Sequence, residues 1–346
     1  MSLIRHPYRN YNEFLSIRKE LQGSGQRDVF RLGGSDLAKV YSNGDKIGLD
    51  EYTSPTVFFY ACCDFYDKPI LQNLEMHRGK IQEPVIYKEY WRYFDPNNPT
   101  SEAYLDNYWG EKKIYRKAQN VNHVISSDKY PWLFVSLDYK IIKSKYSKGG
   151  PLELKSTSWR ANQKYESGIS PGYVIQNHGQ MMVLGAEYGE LFDVQDATTP
   201  KLYSFERNAG IEENIIGSTH DFVQRVLKGK KIVYSNMPAL EKEQALSELA
   251  PADNGNPLYT EFMIERHKPE NAKATIDGTD EMLDLAVNYL RLKEQEKDVS
   301  EKALSAENKV RELFRDTNIG TIEFPHGQIN WKVNLSVQKK ILKNVE

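Results

Sequence analysis

The 346-residue sequence predicts an α/β fold in which helices flank a mixed central sheet, followed by a helical arm that ends in a β-hairpin. Two observations predict the sheet and its helices. Aromatic and β-branched residues concentrate in residues 132–155, and a helical segment with regularly spaced amide side chains follows at 171–185. A third observation predicts the arm, because residues 279–316 are highly charged and contain few helix breakers.

The composition excludes several other classes of protein. Apolar residues make up 39% of the chain and charged residues 27%, as in a globular protein, and the formal net charge is −2. No segment has the roughly 18 consecutive apolar residues of a membrane helix, and the N-terminus lacks the apolar core of a signal peptide. The adjacent Cys62 and Cys63 cannot supply a disulfide framework or a four-cysteine metal site, which indicates a reducing compartment.

The first part of the chain contains helix signals and a polar stretch. Gly33-Gly34-Ser35-Asp36 predicts a turn with Ser35 as the N-cap of a short helix. Residues 55–90 predict a helix that breaks near Pro69 and resumes with apolar spacings of three and four. Residues 91–130 are polar and aromatic, and we interpret them as an insertion with loops.

The strongest strand signals lie in the middle of the chain. Residues 132–142 predict one strand, and residues 151–155 alternate apolar and charged side chains after a turn at 147–150. Two antiparallel strands joined by this turn would bring Asp138 and Glu153 into the same neighbourhood. The helix predicted at 171–185 then carries Gln176 and Gln180 four residues apart, on one face.

The C-terminal part has weaker signals. Residues 190–208 predict one or two strands, and residues 219–227 predict a helix. Repeated proline and glycine residues break the pattern between 236 and 278. The predicted domains are therefore a core at 1–235, a linker at 236–278, and a helical arm ending in a β-hairpin at 279–346.

Asp138, Glu153 and Lys155 form the candidate catalytic unit. Two carboxylates on rigid strands suit Mg²⁺ or Mn²⁺, which prefer hard oxygen ligands. Lys155 lies two residues after Glu153, so on a strand it points to the same face. There it can orient or deprotonate a water, or neutralise charge on a phosphate during phosphodiester hydrolysis.

Two other interpretations of these residues remain open. On the residues alone, a half-exposed hairpin with outward-pointing charges explains Glu153 and Lys155 slightly better than a catalytic site. Asp138-Tyr139-Lys140 is a competing arrangement, which ranks second because no second carboxylate follows it at a suitable spacing.

Five motifs in chain order change this balance, because together they resemble a known family. They are GGSD at 33–36, G-x-x-x-E-P at 79–84, S-x-D at 136–138, LELKS at 152–156 and Y-x-x-Q-x-x-x-Q-M at 173–181. The chain resembles the YqaJ-type viral recombinase nucleases, relatives of phage lambda exonuclease within the PD-(D/E)xK superfamily. The resemblance covers residues 31–228 in patches and residues 279–346 more loosely.

The resemblance implies a fold, an activity and a cofactor. The fold is a PD-(D/E)xK restriction-endonuclease-like core. The activity is a Mg²⁺-dependent 5′→3′ exonuclease, with Mn²⁺ as an alternative metal, that acts on double-stranded DNA ends in phage-type homologous recombination. A structure-specific or restriction-like endonuclease, and a DNA-binding protein on a decayed nuclease core, are the alternatives.

The resemblance also implies roles for individual residues. The implied metal ligands are Glu83, Asp138, Glu153 and the backbone carbonyl of Leu154. Lys155 matches the catalytic lysine, Gln176 the glutamine beside the active site, and Ser35 a serine near the terminal phosphate of the DNA end.

Three positions fit the family pattern less directly. The arginine expected to bind the terminal phosphate is assigned to Arg31, with Arg18 and Arg27 as alternatives. Tyr139 stands where relatives carry glycine after the aspartate, and His178 occupies a position that is usually polar and is interpreted as structural.

The implied surroundings follow from the same resemblance. They are a single-strand annealing protein as partner, the cytoplasm of a bacterial or phage-infected cell, and no membrane. A homo-oligomer is left open.

Overall fold

A computed structural model describes residues 2–43, 47–50, 52–66, 74–93, 117–143, 149–165, 167–252, 254–266, 278–312, 321–324, 327–330 and 336–337. The chain divides into two compact units, Met1–Lys268 and Pro269–Glu346. Throughout these described residues, no helix combines the length and apolar character needed to cross a bilayer.

The described part of the first unit mixes strands and helices, with runs of several strands or several helices in succession. Its strands are β1 (Leu3–Pro7), β2 (Leu32–Gly33), β3 (Lys117–Asn120), β4 (His123–Ser127), β5 (Leu133–Ser136), β6 (Tyr139–Lys143), β7 (Pro151–Lys155), β8 (Tyr188–Gln195) and β9 (Thr199–Glu206). Its α-helices are α1 (Tyr11–Leu21), α2 (Leu37–Val40), α3 (Pro55–Cys62), α4 (Leu74–Tyr93), α5 (Trp159–Asn162), α6 (Pro171–Leu184), α7 (Ala209–Val233), α8 (Ala239–Leu249) and α9 (Pro257–Arg266).

Two mixed sheets organise this unit. One has the strand order β1-β4-β5-β2, and its β2 runs parallel to β5 while the other neighbours are antiparallel. The other has the order β3-β6-β7-β8-β9, and its β7 runs parallel to β8 while the other neighbours are antiparallel. The predicted α/β class with mixed sheets flanked by helices is confirmed.

Residues 132–142 do not form the single strand that the sequence predicts. The segment ends one strand at Ser136, in the four-stranded sheet, and begins another at Tyr139, in the five-stranded sheet. Asp138 lies between them, and its side chain accepts a hydrogen bond from the Leu154 amide. The candidate aspartate therefore occupies the point where the chain passes from one sheet to the other.

The predicted insertion at 91–130 is also corrected. Residues 94–116 lie outside the described residues, but β3 and β4 form between 117 and 127. β3 pairs with β6, and β4 pairs with both β1 and β5. This part therefore belongs to the sheets: β3 and β4 pair with the nearby β6 and β5, and only β1, the other partner of β4, is distant in sequence.

The predicted linker at 236–278 is replaced in part by α8 and α9. Leu246 in α8 and Phe262 in α9 are buried, at 0% and 2% exposure, in the same apolar cluster as Phe59 of α3. Prolines at 238 and 257 stand at the starts of these helices, where a missing backbone N–H costs nothing, and do not break them.

The described residues of the second unit form a long helix and a small sheet. The helix α10 spans Asp280–Glu312, and the strands are β10 (Thr321–Phe324), β11 (Gly327–Asn330) and β12 (Ser336–Val337). β10 and β11 are antiparallel, with Thr321 opposite Asn330. The sequence places the hairpin turn at 325–327, and residues 325 and 326 of it lie outside the described residues.

A buried lysine joins α7 to the turn that follows α1. Lys230 has 0% exposure, and its Nζ donates to the Gly23 carbonyl at 2.7 Å and to Asp64 Oδ2 at 2.5 Å. Asp64 also accepts hydrogen bonds from the Gly25 amide at 3.1 Å and the Tyr234 hydroxyl at 3.0 Å. A buried ammonium is tolerated when its charge and its N–H groups are paired, so this network fixes the glycine turn against α7.

Replacing this lysine should destabilise the first unit. Lys230→Met leaves Asp64 and the Gly23 carbonyl without their buried donor, so we expect the free energy of unfolding to fall by about 2 kcal/mol. Urea unfolding followed by circular dichroism measures the change. The control is Lys231→Met, whose side chain is 55% exposed and lies 3.7 Å from Asp28. It should cost less than about 0.5 kcal/mol, and equal losses would contradict the role given to Lys230.

Candidate active site

Asp138 and Glu153 are brought together where the chain leaves β5 of the four-stranded sheet and enters β6, which pairs with β7 in the five-stranded sheet. Glu153 lies on β7 with 4% exposure, and the amide of the next residue, Leu154, donates to Asp138 Oδ2 at 2.8 Å. Burial and the nearby Glu153 carboxylate raise the pKa of Asp138 well above its ordinary value, with Lys155 opposing them. Two like charges thus share a poorly solvated space, as the strand spacing predicts.

The Glu153 carboxylate is held by three side chains. Its Oε1 accepts from Lys155 Nζ at 2.6 Å and from Gln176 Nε2 at 2.7 Å, and its Oε2 accepts from Gln180 Nε2 at 2.8 Å. Gln180 Nε2 also donates to the Ser136 carbonyl at 3.1 Å, at the end of β5. Helix α6 therefore supplies two amides that fix the carboxylate on both oxygens.

Lys155 is held in its charged form. Burial by itself lowers the pKa of the ammonium, but the Glu153 and Asp138 carboxylates outweigh burial, and the pKa is raised above its ordinary value. Its Nζ also lies 5.0 Å from the centre of the Tyr173 ring, at the first turn of α6. A protonated lysine neutralises negative charge and cannot accept a proton, so of the roles predicted for Lys155 the raised pKa favours charge neutralisation over deprotonation of a water.

Glu83 and Tyr8 stand near the same carboxylates. Burial raises the pKa of Glu83, and the repulsion by Glu153 adds to it. Burial likewise raises the pKa of Tyr8, with Glu83 and Asp138 as the next causes, and its hydroxyl donates to the Val121 carbonyl at 3.2 Å. These shifts place Glu83 and the Tyr8 phenol within electrostatic reach of the predicted site.

The donor set fits a hard divalent cation. In the described part of the chain, no three His, Cys, Asp or Glu side chains are already gathered as a metal site. Asp138 and Glu153 nonetheless form a buried carboxylate pair whose repulsion a cation would relieve, and both donate the oxygen atoms that Mg²⁺ and Mn²⁺ prefer. Ligation by Glu83 and by the Leu154 carbonyl stays a prediction.

Ser35 is paired with Arg18 and not with Arg31. Arg18 Nη2 donates to Ser35 Oγ at 3.3 Å and to Asp36 Oδ2 at 3.4 Å. Arg31 Nη1 instead donates to Ser126 Oγ at 3.4 Å, on β4. The tertiary fold brings α1 beside the turn that carries Ser35, so the arginine next to Ser35 is Arg18, one of the two predicted alternatives to Arg31.

Helix α6 connects the Ser35 turn with the carboxylate pair. A Cβ atom at Gly179 would lie 2.0 Å from Leu37 Cδ1, so the missing side chain lets α2 approach the helix closely. Gln176 and Gln180 reach Glu153 from the same helix. His178 is 3% exposed, and its Nδ1 lies 2.9 Å from the Val174 carbonyl of its own helix, as expected of a structural residue.

Three residues of the site are not assigned to it from the sequence. Gln180 is visible in the sequence as the partner of Gln176 at helical spacing. Arg18 is one of three competing arginines. Tyr8 carried no signal, since β1 reaches the site through its pairing with β4, more than a hundred residues away in sequence.

The YqaJ-like viral recombinase domain matches residues 13–187, which include every residue of the site just described except Tyr8. The chain belongs to this family. The resemblance found in the five motifs is thereby confirmed, and it holds over half of the chain.

This YqaJ-like chain is similar in sequence to a Bacillus protein and similar in structure to solved exonucleases. The uncharacterised protein YqaJ of Bacillus subtilis (strain 168) is 25% identical over 317 residues, covering 90% of this chain and 84% of that protein. An alkaline exonuclease from Laribacter hongkongensis aligns over 69% of this chain and 100% of its own, with 14% identity and a TM-score of 0.45. A phage-related exonuclease from Haemophilus somnus covers 57% of this chain and 96% of its own, with 11% identity and a TM-score of 0.33.

The carboxylate repulsion in this YqaJ-like site predicts a stabilising substitution. Because burial and Glu153 raise the pKa of Asp138, its ionisation costs the folded state stability once the pH exceeds the unfolded value of about 4. Asp138→Asn should therefore raise the free energy of unfolding by about 1 kcal/mol at pH 8 in a chelator.

Urea unfolding of the purified variants measures this difference. Asp221→Asn is the matched control, because the Asp221 side chain is 62% exposed and pairs with Arg225 on the surface. It should change stability by less than about 0.5 kcal/mol. A loss of stability in Asp138→Asn would show that the carboxylates do not repel each other.

Proposed function

We propose that this chain is a Mg²⁺-dependent exonuclease, with Mn²⁺ as an alternative, that degrades one strand of double-stranded DNA from its 5′ end. The observation that carries the proposal is the Asp138–Glu153 pair, held by a protonated Lys155 and two glutamine amides. Membership of the viral recombinase family supports DNA as the substrate and recombination as the setting. The single strand that such an enzyme leaves would suit a single-strand annealing partner in the bacterial cytoplasm.

The residues of the site would divide the work of phosphodiester hydrolysis. Asp138, Glu153, Glu83 and the Leu154 carbonyl would hold the metal. When bound, the metal activates the attacking water and neutralises the phosphate. Gln176 and Gln180 keep the Glu153 carboxylate in one orientation, which avoids a reorganisation cost during the reaction. Lys155 places a positive charge beside the phosphate, where negative charge grows as the water attacks.

Substitution of Lys155 and of Lys140 distinguishes the two candidate arrangements, Glu153-Leu154-Lys155 and Asp138-Tyr139-Lys140. Lys155→Met should lower the rate of Mg²⁺-dependent degradation of linear duplex by at least about a hundredfold, since one preorganised charge at a transition state is worth that much. Lys140→Met is the matched control, because Lys140 is the lysine of the competing Asp138-Tyr139-Lys140 arrangement. This variant should keep the parent rate. Release of acid-soluble nucleotides measures both rates. Loss of activity in Lys140→Met alone would show that Lys140, and not Lys155, is the catalytic lysine.

The Arg18–Ser35 pair is proposed to bind the terminal phosphate of the DNA end. Arg18 is half-buried and Ser35 is exposed, so a phosphate can reach the hydroxyl with a guanidinium already beside it. Such a contact favours entry from a 5′-phosphorylated end and supports the proposed polarity.

Arg18→Gln should reduce the preference for 5′-phosphate over 5′-hydroxyl ends by about tenfold, the value of one charge-assisted hydrogen bond. Arg31→Gln is the control and should leave that preference unchanged. End-labelled linear duplexes and closed circular duplex, with and without Mg²⁺, form the substrate set. Degradation of the closed circle at the linear rate would favour an endonuclease and overturn the exonuclease proposal.

A further inference from the structure

The helix α10 exposes a long apolar surface. Nine of its large apolar side chains are between 52% and 66% exposed, and five of these lie in one row: Met282, Leu285, Tyr289, Leu292 and Val299. Isolated exposed apolar residues are common, but a row of them along one 33-residue helix is typical of an interaction surface. The row therefore needs a partner that covers it.

The spacing of these residues is that of a coiled coil. Starting at Met282, alternate steps of three and four residues lead through Leu285, Tyr289 and Leu292, and later through Val299 and Val310. These are the a and d positions of a heptad repeat over four successive heptads. We call this row the heptad stripe: Met282, Leu285, Tyr289, Leu292, Glu296, Val299, Ala303, Ala306 and Val310.

We propose that the heptad stripe packs against the same stripe of a second copy of this chain, with the two helices antiparallel. Large residues occupy its first half and small ones its second half. In an antiparallel pair centred between residues 297 and 298, Tyr289 faces Ala306 of the other copy and Leu292 faces Ala303. These two layers then combine a large and a small side chain, which fills the interface evenly. A parallel pair would stack tyrosine on tyrosine and alanine on alanine.

Charge favours the same orientation. In a parallel pair Glu296 would face its own copy inside the stripe, whereas in the antiparallel pair it faces Val299. Residues 280–296 contain five acidic and two basic side chains, while residues 297–312 contain four of each. The antiparallel arrangement places the acidic half of each helix beside the neutral half of the other, and it also opposes the two helix dipoles.

Stripe substitutions in the full-length chain test the proposal. Leu285→Lys combined with Leu292→Lys places charges on the stripe, while Leu283→Lys combined with Leu290→Lys places them off it. The control residues are equally exposed, at 61% and 64%. Sedimentation velocity over a range of concentrations should show a dimer for the parent chain and the control. The stripe variant should dissociate at least tenfold more readily, with unchanged circular dichroism. A monomeric parent chain, or equal dissociation of both variants, would overturn the proposal.

Directed crosslinking tests the orientation. Chains carrying Leu292→Cys are mixed with chains carrying Ala303→Cys, oxidised, and analysed by peptide mass spectrometry. The antiparallel pair should give disulfides between residues 292 and 303 of different chains. Disulfides joining residue 292 to residue 292 would overturn the antiparallel arrangement.

Discussion

A carboxylate buried beside a second carboxylate is the interaction on which the rest of the site depends. Glu153 is 4% exposed, and Asp138 is fixed next to it by the Leu154 amide. Two such charges repel each other strongly at low local dielectric, so the fold has to supply compensating donors. Lys155, Gln176 and Gln180 do this, and each comes from a rigid strand or helix.

The helix α6 is the element that meets this requirement. Its N-terminus is capped by Ser170 and begins with Pro171, and it ends at Gly185 in the left-handed conformation, so both ends are defined by sequence. One face carries the two glutamines, and at Gly179 the helix comes close to α2. The turn that carries Ser35, with Arg18 of α1 beside it, is therefore held against the same helix as the carboxylates.

The like-charge pair of the site costs the folded chain stability, whereas the buried pair of Lys230 and Asp64 does not. Lys230 and Asp64 form an opposite-charge pair with further hydrogen bonds, and this pair stabilises a turn. Asp138 and Glu153 are a like-charge pair, and the folded chain keeps them although neutral residues would cost less. Such local conflict with stability is expected where a chain binds a cation or a charged substrate.

The sequence by itself predicted that Asp138, Glu153 and Lys155 lie together, and it predicted the helix with its paired glutamines, the α/β class and the family, because each depends on residue types at short spacings. It did not determine that residues 132–142 divide between two sheets, that 239–266 is helical and packed on the core, or that Arg18 accompanies Ser35. Those features depend on contacts between segments far apart in the chain. They are decided by which residues become buried and which segments pack together, and only the tertiary structure supplies that. The local sequence around an arginine or a proline is the same whether the residue packs against the core or faces solvent.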